Sequence, residues 1–532
     1  MVAGIFYLWI SMSAMLWANP VKHEMKIPML RFAGVHALTT HDGEARGYFS
    51  LYAESNGVWK VHFFDTQINE IGVARVEAPR HSFYNTACTD GEHVLLSFLT
   101  NIGGGTATYV LLGMDGNQIA SETRSGVSGL NRGEEFWPRL FALPGEGFLI
   151  AETVGRGRRS GYRLELIDLA LRSQWKQDFY SDNGSAQLYR LMILADRLLL
   201  HETAERAGKT RSNEIHQVNP RNGMILSSHF LHQDGYSYFP TAMVSLGEDR
   251  IMMAGTYYRG EEMRTRNTRG LFFQVINGKG ELVSRQNYEW SELRPLLRTQ
   301  VYDWFFKVMP EVWIHAIEKT DDGRLLALGE LYRYSGEVSH FDGENSMPRN
   351  SYHRIRILDF MLFDLDQEGV MHFAERIERP HMVLNLDAGS GGSGSLGHRA
   401  GQGALSRARA LKEKGALTYR FHRREKDGTL SMGFMSYEAK THYAYVMNLE
   451  GRKDYVQSML VHAKPRFISN LEMAGLCAGQ SGFGFILTEM NTRSFDDSEA
   501  YWRGLLPSDA GSLVTYEYMP LGGKLIISRT DL

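Results

Sequence analysis

Cysteine and extended basic segments are both scarce in this 532-residue sequence. The two cysteines, Cys88 and Cys477, lie at the ends of predicted apolar strands and belong to no CxxC or Cys/His cluster. We therefore expect buried free thiols, no disulfide and no metal site. The formal net charge is −3, and the only basic clusters are Arg156–Arg159 and the pair Arg407 and Arg409. Because phosphate binding needs an extended cationic surface, we expect no nucleic-acid partner.

Long apolar runs are missing beyond the N-terminus. Met1–Ala18 is an uncharged, mostly apolar stretch that ends in a small residue before Asn19 and Pro20, as in a secretory signal peptide. We expect cleavage after Ala18, export to the periplasm or cell surface, and no membrane span in the mature chain. The alternative is an uncleaved N-terminal anchor, since about 18 residues are marginally long enough to cross a bilayer.

Signatures of common enzymes are missing as well. His201–Glu205 begins like the zinc-protease motif HExxH but lacks the second histidine, and there is no GxSxG elbow, Walker loop or strand-linked GxGxxG. The hairpin motif of sialidase propellers, the Trp-Asp dipeptides of WD40 blades and the tryptophan-docking repeat of quinone-dependent dehydrogenases are also absent. The sequence predicts no cofactor. Whether the protein is an enzyme stays open, and a non-catalytic role is favoured.

The sequence does contain a repeated β-hairpin, which is clearest in Trp313–Tyr334. An alternating apolar run leads into the turn Asp321–Gly323, and a second apolar run follows. An Asp-Gly turn between two such runs is a strong hairpin signal.

Similar units recur along the chain, mostly 51 to 54 residues apart. Their predicted inner strands begin near Phe32, Phe83, Trp137, Leu188, Phe239, Trp313, Thr418 and Leu471. In the last unit, the second and third strands are predicted from Phe483 and Leu513. Four short antiparallel strands per unit predict an all-β fold, a β-propeller with eight four-stranded blades. Seven blades are the alternative, if the first or last unit completes the other by strand exchange.

Two inserts interrupt the regular spacing. Residues 291–309 have apolar side chains at helical spacing, and residues 387–407 form a Gly/Ser-rich segment that predicts a disordered surface loop. A polar loop is predicted from Ser335 to His353. The predicted organisation is a signal peptide at 1–18, a linker at 19–29 and a single propeller at 30–532.

Three segments resemble an uncharacterised family of exported, propeller-like proteins from Gram-negative bacteria. They are Gly43–Gly72, Trp313–Tyr334 and Phe360–Glu378, and the resemblance covers most of residues 30–532. It rests on turn and strand motifs. It implies a propeller and export, and it implies no established activity and no functional residue.

Carboxylates at alternate positions in Asp364–Gly369 permit a calcium interpretation. We favour a turn, because Asp, Asn or Gly recurs at the same connection between the third and fourth strands of other units.

Aromatic and basic residues recur together at the starts of four predicted inner strands. Because inner strands line the central channel, these side chains are candidates for a ligand site at the channel mouth. The predicted ligand-binding residues are Arg139, Arg190, His315, Arg420, Trp137, Tyr189, Trp313 and Tyr419. Guanidinium groups bind carboxylate or sulfate, and aromatic rings stack on sugars. The alternatives are blade-to-blade packing for the aromatic residues and solvated rim charges for the basic ones.

Two hypotheses for function follow from these residues. The favoured one is a non-catalytic binding or scaffold propeller whose partner is a glycan, another anionic ligand or a protein. The alternative is a glycan-active hydrolase or lyase with its site in the central funnel. A pair of carboxyl groups about 5–10 Å apart in the funnel would favour a glycosidase.

Overall fold

A computed structural model gives the structure of the chain. The residues it describes are 20–27, 32–40, 44–100, 105–126, 139–155, 160–194, 196–206, 209–247, 249–261, 263, 267–296, 310–340, 350–379, 382–387, 411, 417–438, 441–449, 455–459, 503–519 and 523–531. They form eight antiparallel sheets, which are the blades of a β-propeller. The predicted all-β class and the blade count of eight are confirmed.

The alternation of apolar residues and the turns between them divide the chain into short strands. The N-terminal strand and the strands of blades 1 to 4 are β1 (Val21–Lys26), β2 (Phe32–Thr39), β3 (Ala45–Ser55), β4 (Val58–Phe64), β5 (Glu70–Glu77), β6 (Phe83–Thr89), β7 (His93–Thr100), β8 (Thr106–Gly113), β9 (Gln118–Ser125), β10 (Arg139–Leu143), β11 (Gly147–Val154), β12 (Gly161–Ile167), β13 (Ser173–Phe179), β14 (Ser185–Ile193), β15 (Leu198–Arg206), β16 (Lys209–Val218) and β17 (Ile225–Phe230).

The second half of the chain continues the same order from inner to outer strand. The strands of blades 5 to 8 are β18 (His232–Gln233), β19 (Tyr236–Gly247), β20 (Arg250–Arg259), β21 (Thr268–Ile276), β22 (Leu282–Glu289), β23 (Glu311–Lys319), β24 (Leu325–His340), β25 (Asn350–Leu365), β26 (Met371–Ile377), β27 (Met382–Asp387), β28 (Tyr419–Arg424), β29 (Leu430–Glu438), β30 (Thr441–Asn448), β31 (Tyr455–Met459), β32 (Arg503–Leu506), β33 (Ser512–Met519) and β34 (Lys524–Asp531). Blade 5 carries the additional short strand β18, and blade 6 carries β27.

The hydrophobic core is divided among the boundaries between blades. Each of the eight boundaries holds one cluster of buried side chains from the two blades that meet there. A blade that is apolar on both faces is stable only when a neighbour covers each face. The cluster of Tyr48, Phe64, Leu525 and Ile527 joins blade 8 to blade 1, and so the ring is closed.

The N-terminal strand completes the last blade. Strand β1 pairs antiparallel with β34, with Val21 opposite Arg529, and the order in blade 8 is β32-β33-β34-β1. The segment predicted as a linker therefore contains a strand. Leu513 lies in the second strand of this blade, where the third was predicted, because the chain end needs to supply only three strands. The inner strand is β32, which is later than the predicted start at Leu471; Leu471 and Phe483 lie outside the described residues.

The predicted inserts are only partly described. Within residues 291–309 the structure describes 291–296 and gives a 3-10 helix at Arg294–Leu296. Residues 388–407 of the Gly/Ser-rich segment lie outside the described residues, as does Cys477. The predicted polar loop is shorter than expected, because β24 continues to His340 and β25 already begins at Asn350. Polar composition did not prevent these strands from pairing through their backbones.

The turn predicted at Asp364–Gly369 is confirmed. Asp366 accepts backbone hydrogen bonds through Oδ1 from Glu368 at 3.0 Å and Val370 at 2.8 Å. Gly369 has a φ of 83°, a conformation that favours glycine. Cys88 is a free thiol, as predicted, but it is half-buried where full burial was expected.

Candidate functional site

A recurring β-bulge positions the residues of the central channel. In six of the eight blades, the pairing between the inner and second strands skips one residue of the inner strand. The skipped residues are Ala33, Asn85, Tyr189, Thr241, His315 and Arg420. A bulge bends its strand and re-aims the neighbouring side chains.

Three of the four predicted basic residues lie at two adjacent positions relative to this bulge. His315 and Arg420 are themselves bulge residues. Arg190 follows the bulge residue of blade 4 and pairs with His201. Arg139 pairs with Ala151 in blade 3, where the described pairing of the inner and second strands has no bulge. The bulge shifts the direction of the side chains, so nearly equal sequence positions do not give one ring of equivalent charges.

Arg139 and Arg420 both bind backbone carbonyl groups. Nη1 of Arg139 donates to the carbonyl oxygens of Leu188 at 3.3 Å and Tyr189 at 3.1 Å, which belong to the inner strand of the next blade. Nη1 of Arg420 donates to the carbonyl oxygens of Leu417 at 2.6 Å and Tyr419 at 3.0 Å. These guanidinium groups hold the local backbone.

Arg190 is different, because it makes no hydrogen bond or ion pair within the described part of the chain. Burial lowers the pKa of Arg190, and the nearby Tyr189 and Tyr419 partly oppose this effect. The charge of Arg190 also helps to lower the pKa of His315. An arginine stays protonated in proteins. Side chains from blades 4, 6 and 7 therefore approach one another around an unneutralised cation.

A buried carboxylate, Glu330, organises the boundary between blades 6 and 7. It is 0% exposed and accepts hydrogen bonds from Nη2 of Arg379 at 2.8 Å, from the Thr418 backbone at 3.0 Å and from Nε2 of His315 at 2.9 Å. Burial by itself would raise the pKa of Glu330, but Arg379 and His315 outweigh it and lower the pKa to about 2. Glu330 is therefore ionised, and His315 holds its Nε2 proton toward it.

Tyr419 connects this network to a second chain of polar side chains. Its ring stacks on His315 with 4.3 Å between centroids, and its hydroxyl is hydrogen-bonded to Nδ1 of His422. Nε2 of His422 lies 2.7 Å from Oε1 of Glu318. The side chains of His422 and Glu318 are 27% and 34% exposed, so this chain of groups is open to solvent.

The predicted aromatic residues divide between core and channel. Trp313 is 7% exposed and packs with Tyr189, Phe239 and Tyr332 in a hydrophobic cluster, in agreement with the packing alternative. Tyr419 lies beside the polar groups and also packs against the hydrophobic cluster between blades 6 and 7. Trp137 lies outside the described residues.

Sequence reasoning missed Glu318, Glu330, Arg379 and His422. One signal was available for Glu330, since a single carboxylate stood in the apolar run of β24. A charge in a buried strand needs a partner. The partner, Arg379, follows a different strand, and no local pattern joins the two residues.

A second polar region is a cleft between blades 2 and 3, with a volume of about 670 Å³. Arg124 of blade 2 reaches across to Glu165 at 2.7 Å and also binds Glu122 at 2.9 Å. Glu152 is 16% exposed, and its nearest cation is Arg163 at 3.7 Å. Burial raises the pKa of Glu152, an effect that Arg163 partly opposes.

Within the described ranges, no three His, Cys, Asp or Glu side chains lie close enough together to hold a metal ion. Among the same residues, no helix has the length and apolar character needed to cross a membrane.

Comparison with solved structures finds similar proteins at low sequence identity. The polysaccharide lyase Uly1 is 9% identical, with 97% of this chain and 100% of that chain covered and a TM-score of 0.38. A quinohemoprotein alcohol dehydrogenase from Comamonas testosteroni is 10% identical, with 86% and 79% covered and a TM-score of 0.36. A protein of unknown function from Bacteroides caccae is 13% identical, with 63% and 100% covered and a TM-score of 0.28. At these values, the similarities carry no argument about function.

The sequence comparisons agree with the resemblance to an uncharacterised family. No curated protein matches the chain. The profile described as a family of unknown function, DUF6770, matches residues 38–444, which is more than half of the chain. This chain belongs to the DUF6770 family.

Proposed function

We propose that the central channel binds an anionic ligand, and that Arg190 is the group that recognises its charge. The observation that carries this proposal is the absence of any hydrogen bond or ion pair to Arg190 within the described part of the chain. Arg190 is half-buried and its guanidinium keeps its donors free among the described residues, so a carboxylate or sulfate can bind it bidentately. Arg139 and Arg420 donate to carbonyl groups and are less available.

An acidic glycan is the ligand class that we favour. Tyr419 and His315 present a stacked pair of rings close to Arg190. Aromatic faces pack on the apolar faces of sugar rings, while arginine binds their carboxylate or sulfate substituents. A small inorganic anion would use Arg190 but would gain little from the rings.

The test is calorimetric titration of the full chain with an oligogalacturonate and with a neutral maltooligosaccharide of the same length. We expect binding of the acidic oligomer only, with an affinity that falls as salt is added. Arg190→Ala should weaken binding roughly ten- to hundredfold, the effect of losing one charge-assisted contact.

The matched control is Arg75→Ala, which removes an exposed charge paired with Glu54 in blade 1. It should leave binding unchanged. Equal weakening by both substitutions would reduce the effect to net charge and contradict a specific site. A large fall in melting temperature in Arg190→Ala would instead make Arg190 a structural residue. That fall is what we expect of Arg139→Ala, which loses contacts to two carbonyl groups.

We further propose that the protein is exported after removal of Met1–Ala18. Strand β1 begins at Val21, so cleavage after Ala18 would leave the strand that completes blade 8 intact. Sequencing the N-terminus of protein from the native cell should give a start at or near Asn19. An intact Met1 in the membrane fraction would establish the anchor alternative.

A further inference from the structure

Tyr419, His422 and Glu318 form a chain of hydrogen bonds with a defined direction. Burial raises the pKa of Tyr419, so the phenol carries its proton at neutral pH. Glu318 can only accept, and its contact at 2.7 Å therefore places a proton on Nε2 of His422. Nδ1 of the neutral imidazole then accepts from the hydroxyl of Tyr419.

This order of groups allows Tyr419 to lose and regain its proton. When the proton moves to Nδ1, His422 becomes an imidazolium next to the carboxylate of Glu318, which stabilises the new charge. A hydroxyl bonded to a base that is itself oriented by a carboxylate is the general arrangement of an activated group. A tyrosine that served only for packing would need neither His422 nor Glu318.

Arg190 lies near enough to Tyr419 for its charge to act on the phenol. Its charge lowers the pKa of Tyr419 and opposes the effects of burial and of Glu318. The site thus combines a cation for a carboxylate with a proton-transfer group beside it. In a uronic acid, the carboxylate is attached to C5, whose hydrogen becomes acidic when the negative charge of the carboxylate is neutralised.

We propose that the channel cleaves a polyuronate by β-elimination, with Tyr419 as the catalytic acid and base and with His422 and Glu318 as positioning residues. This inference rests on the proposed function, because Arg190 must first hold the uronate carboxylate.

The reaction balances without water, an oxidant or a cofactor. The proton of Tyr419 passes to His422, and the phenolate removes the proton on C5. The electron pair of the C5–H bond forms the C4=C5 double bond as the C4–O bond breaks. The leaving oxygen takes the proton from Tyr419, and His422 then returns its proton to the phenolate. The products are a shortened chain and an unsaturated uronate.

The experiment incubates the full chain with polygalacturonate, alginate and glucuronan and follows the ultraviolet absorbance of the unsaturated product. Calorimetric titration with oligomers of the same three polymers runs in parallel. We expect absorbance to rise with at least one polymer. Tyr419→Phe keeps the stacking ring and should lower kcat at least about a hundredfold, the usual contribution of an acid–base group. Binding of the oligomer should change less than threefold.

Glu318→Gln separates positioning from structure. It should lower kcat about tenfold and leave KM and the melting temperature nearly unchanged, since Glu318 acts only through His422. Oligomer binding without any unsaturated product would overturn the elimination and leave the proposed binding function standing. Failure of all three oligomers to bind would overturn both proposals. Full activity in Tyr419→Phe would also overturn the assignment of Tyr419.

Discussion

The boundary between blades 6 and 7 and the cleft between blades 2 and 3 both place a carboxylate near arginine, with opposite results. At the first boundary, Glu330 is fully buried and bonded to Arg379, and its pKa falls to about 2. In the cleft, Oε1 of Glu152 lies 3.7 Å from Nη1 of Arg163, and the pKa of Glu152 is raised.

The difference between Glu330 and Glu152 follows from how closely cations and hydrogen-bond donors approach each buried carboxyl group. Burial raises the pKa in both regions. Arg379, Thr418 and His315 donate to Glu330. In the cleft, Arg124 binds Glu165 and Glu122, and Arg163 donates to Asp178. The boundary between blades 6 and 7 therefore holds Glu330 as a carboxylate. In the cleft, Arg163 stays beyond hydrogen-bond distance of Glu152.

The largest expected effect comes from Glu330→Gln. Neutralising Glu330 leaves Arg379 as a buried charge without its counterion, so the free energy of unfolding in urea should fall by about 3–5 kcal/mol. Glu330→Gln combined with Arg379→Met should recover a substantial part of that loss. Glu44→Gln, which breaks an exposed pair with Arg46, should cost less than about 1 kcal/mol. A loss of similar size in both single variants would remove the distinction between the buried and the surface pair.

A smaller effect is expected in the acid range. The folded-state pKa of Glu330 is about 2 against an ordinary value of 4.5. Its contribution to stability is therefore present above pH 4.5 and is lost as the pH falls from about 4.5 toward 2. Urea unfolding over this range should show the wild-type free energy falling more steeply than that of Glu330→Gln, with a total difference of up to about 3 kcal/mol. Parallel curves for the two proteins would show that Glu330 titrates normally.

The smallest expected effect has the opposite sign. The pKa of Glu152 is raised in the folded state. The contribution of Glu152 to the free energy of unfolding is therefore present below the ordinary carboxyl pKa and is lost as the pH rises through the folded-state pKa. Glu152→Gln should therefore raise the free energy of unfolding at pH 7 by up to about 1 kcal/mol. The gain should vanish near pH 4, where the carboxyl group is protonated.

Glu122→Gln serves as the control for this substitution. Glu122 accepts from Arg124 at 2.9 Å, so its neutralisation should give no gain in stability at pH 7. Destabilisation by Glu152→Gln would mean that the Glu152 carboxylate, like that of Glu330, is stabilised by its contacts. The two regions would then not differ.

Hairpin spacing predicted the propeller because each unit repeats a local pattern. Asp-Gly turns and alternating apolar runs fix strands regardless of what packs on them, and the strand starts at Phe32 and Phe83 were predicted to the residue. The last blade was misassigned, because β1 and β34 pair across nearly the whole chain and leave no periodic trace.

The sequence by itself determined the all-β class and the eight repeats. It did not distinguish Arg139 from Arg190, since each follows an aromatic residue near the start of a predicted inner strand. Only the tertiary structure decided that carbonyl groups of the next blade bind Arg139, while Arg190 has no such partner in the ranges that the structure describes. The physical reason is that strand formation depends on neighbours along the chain. The chemistry of a buried polar group depends instead on donors, acceptors and charges that other blades bring within about 3 Å.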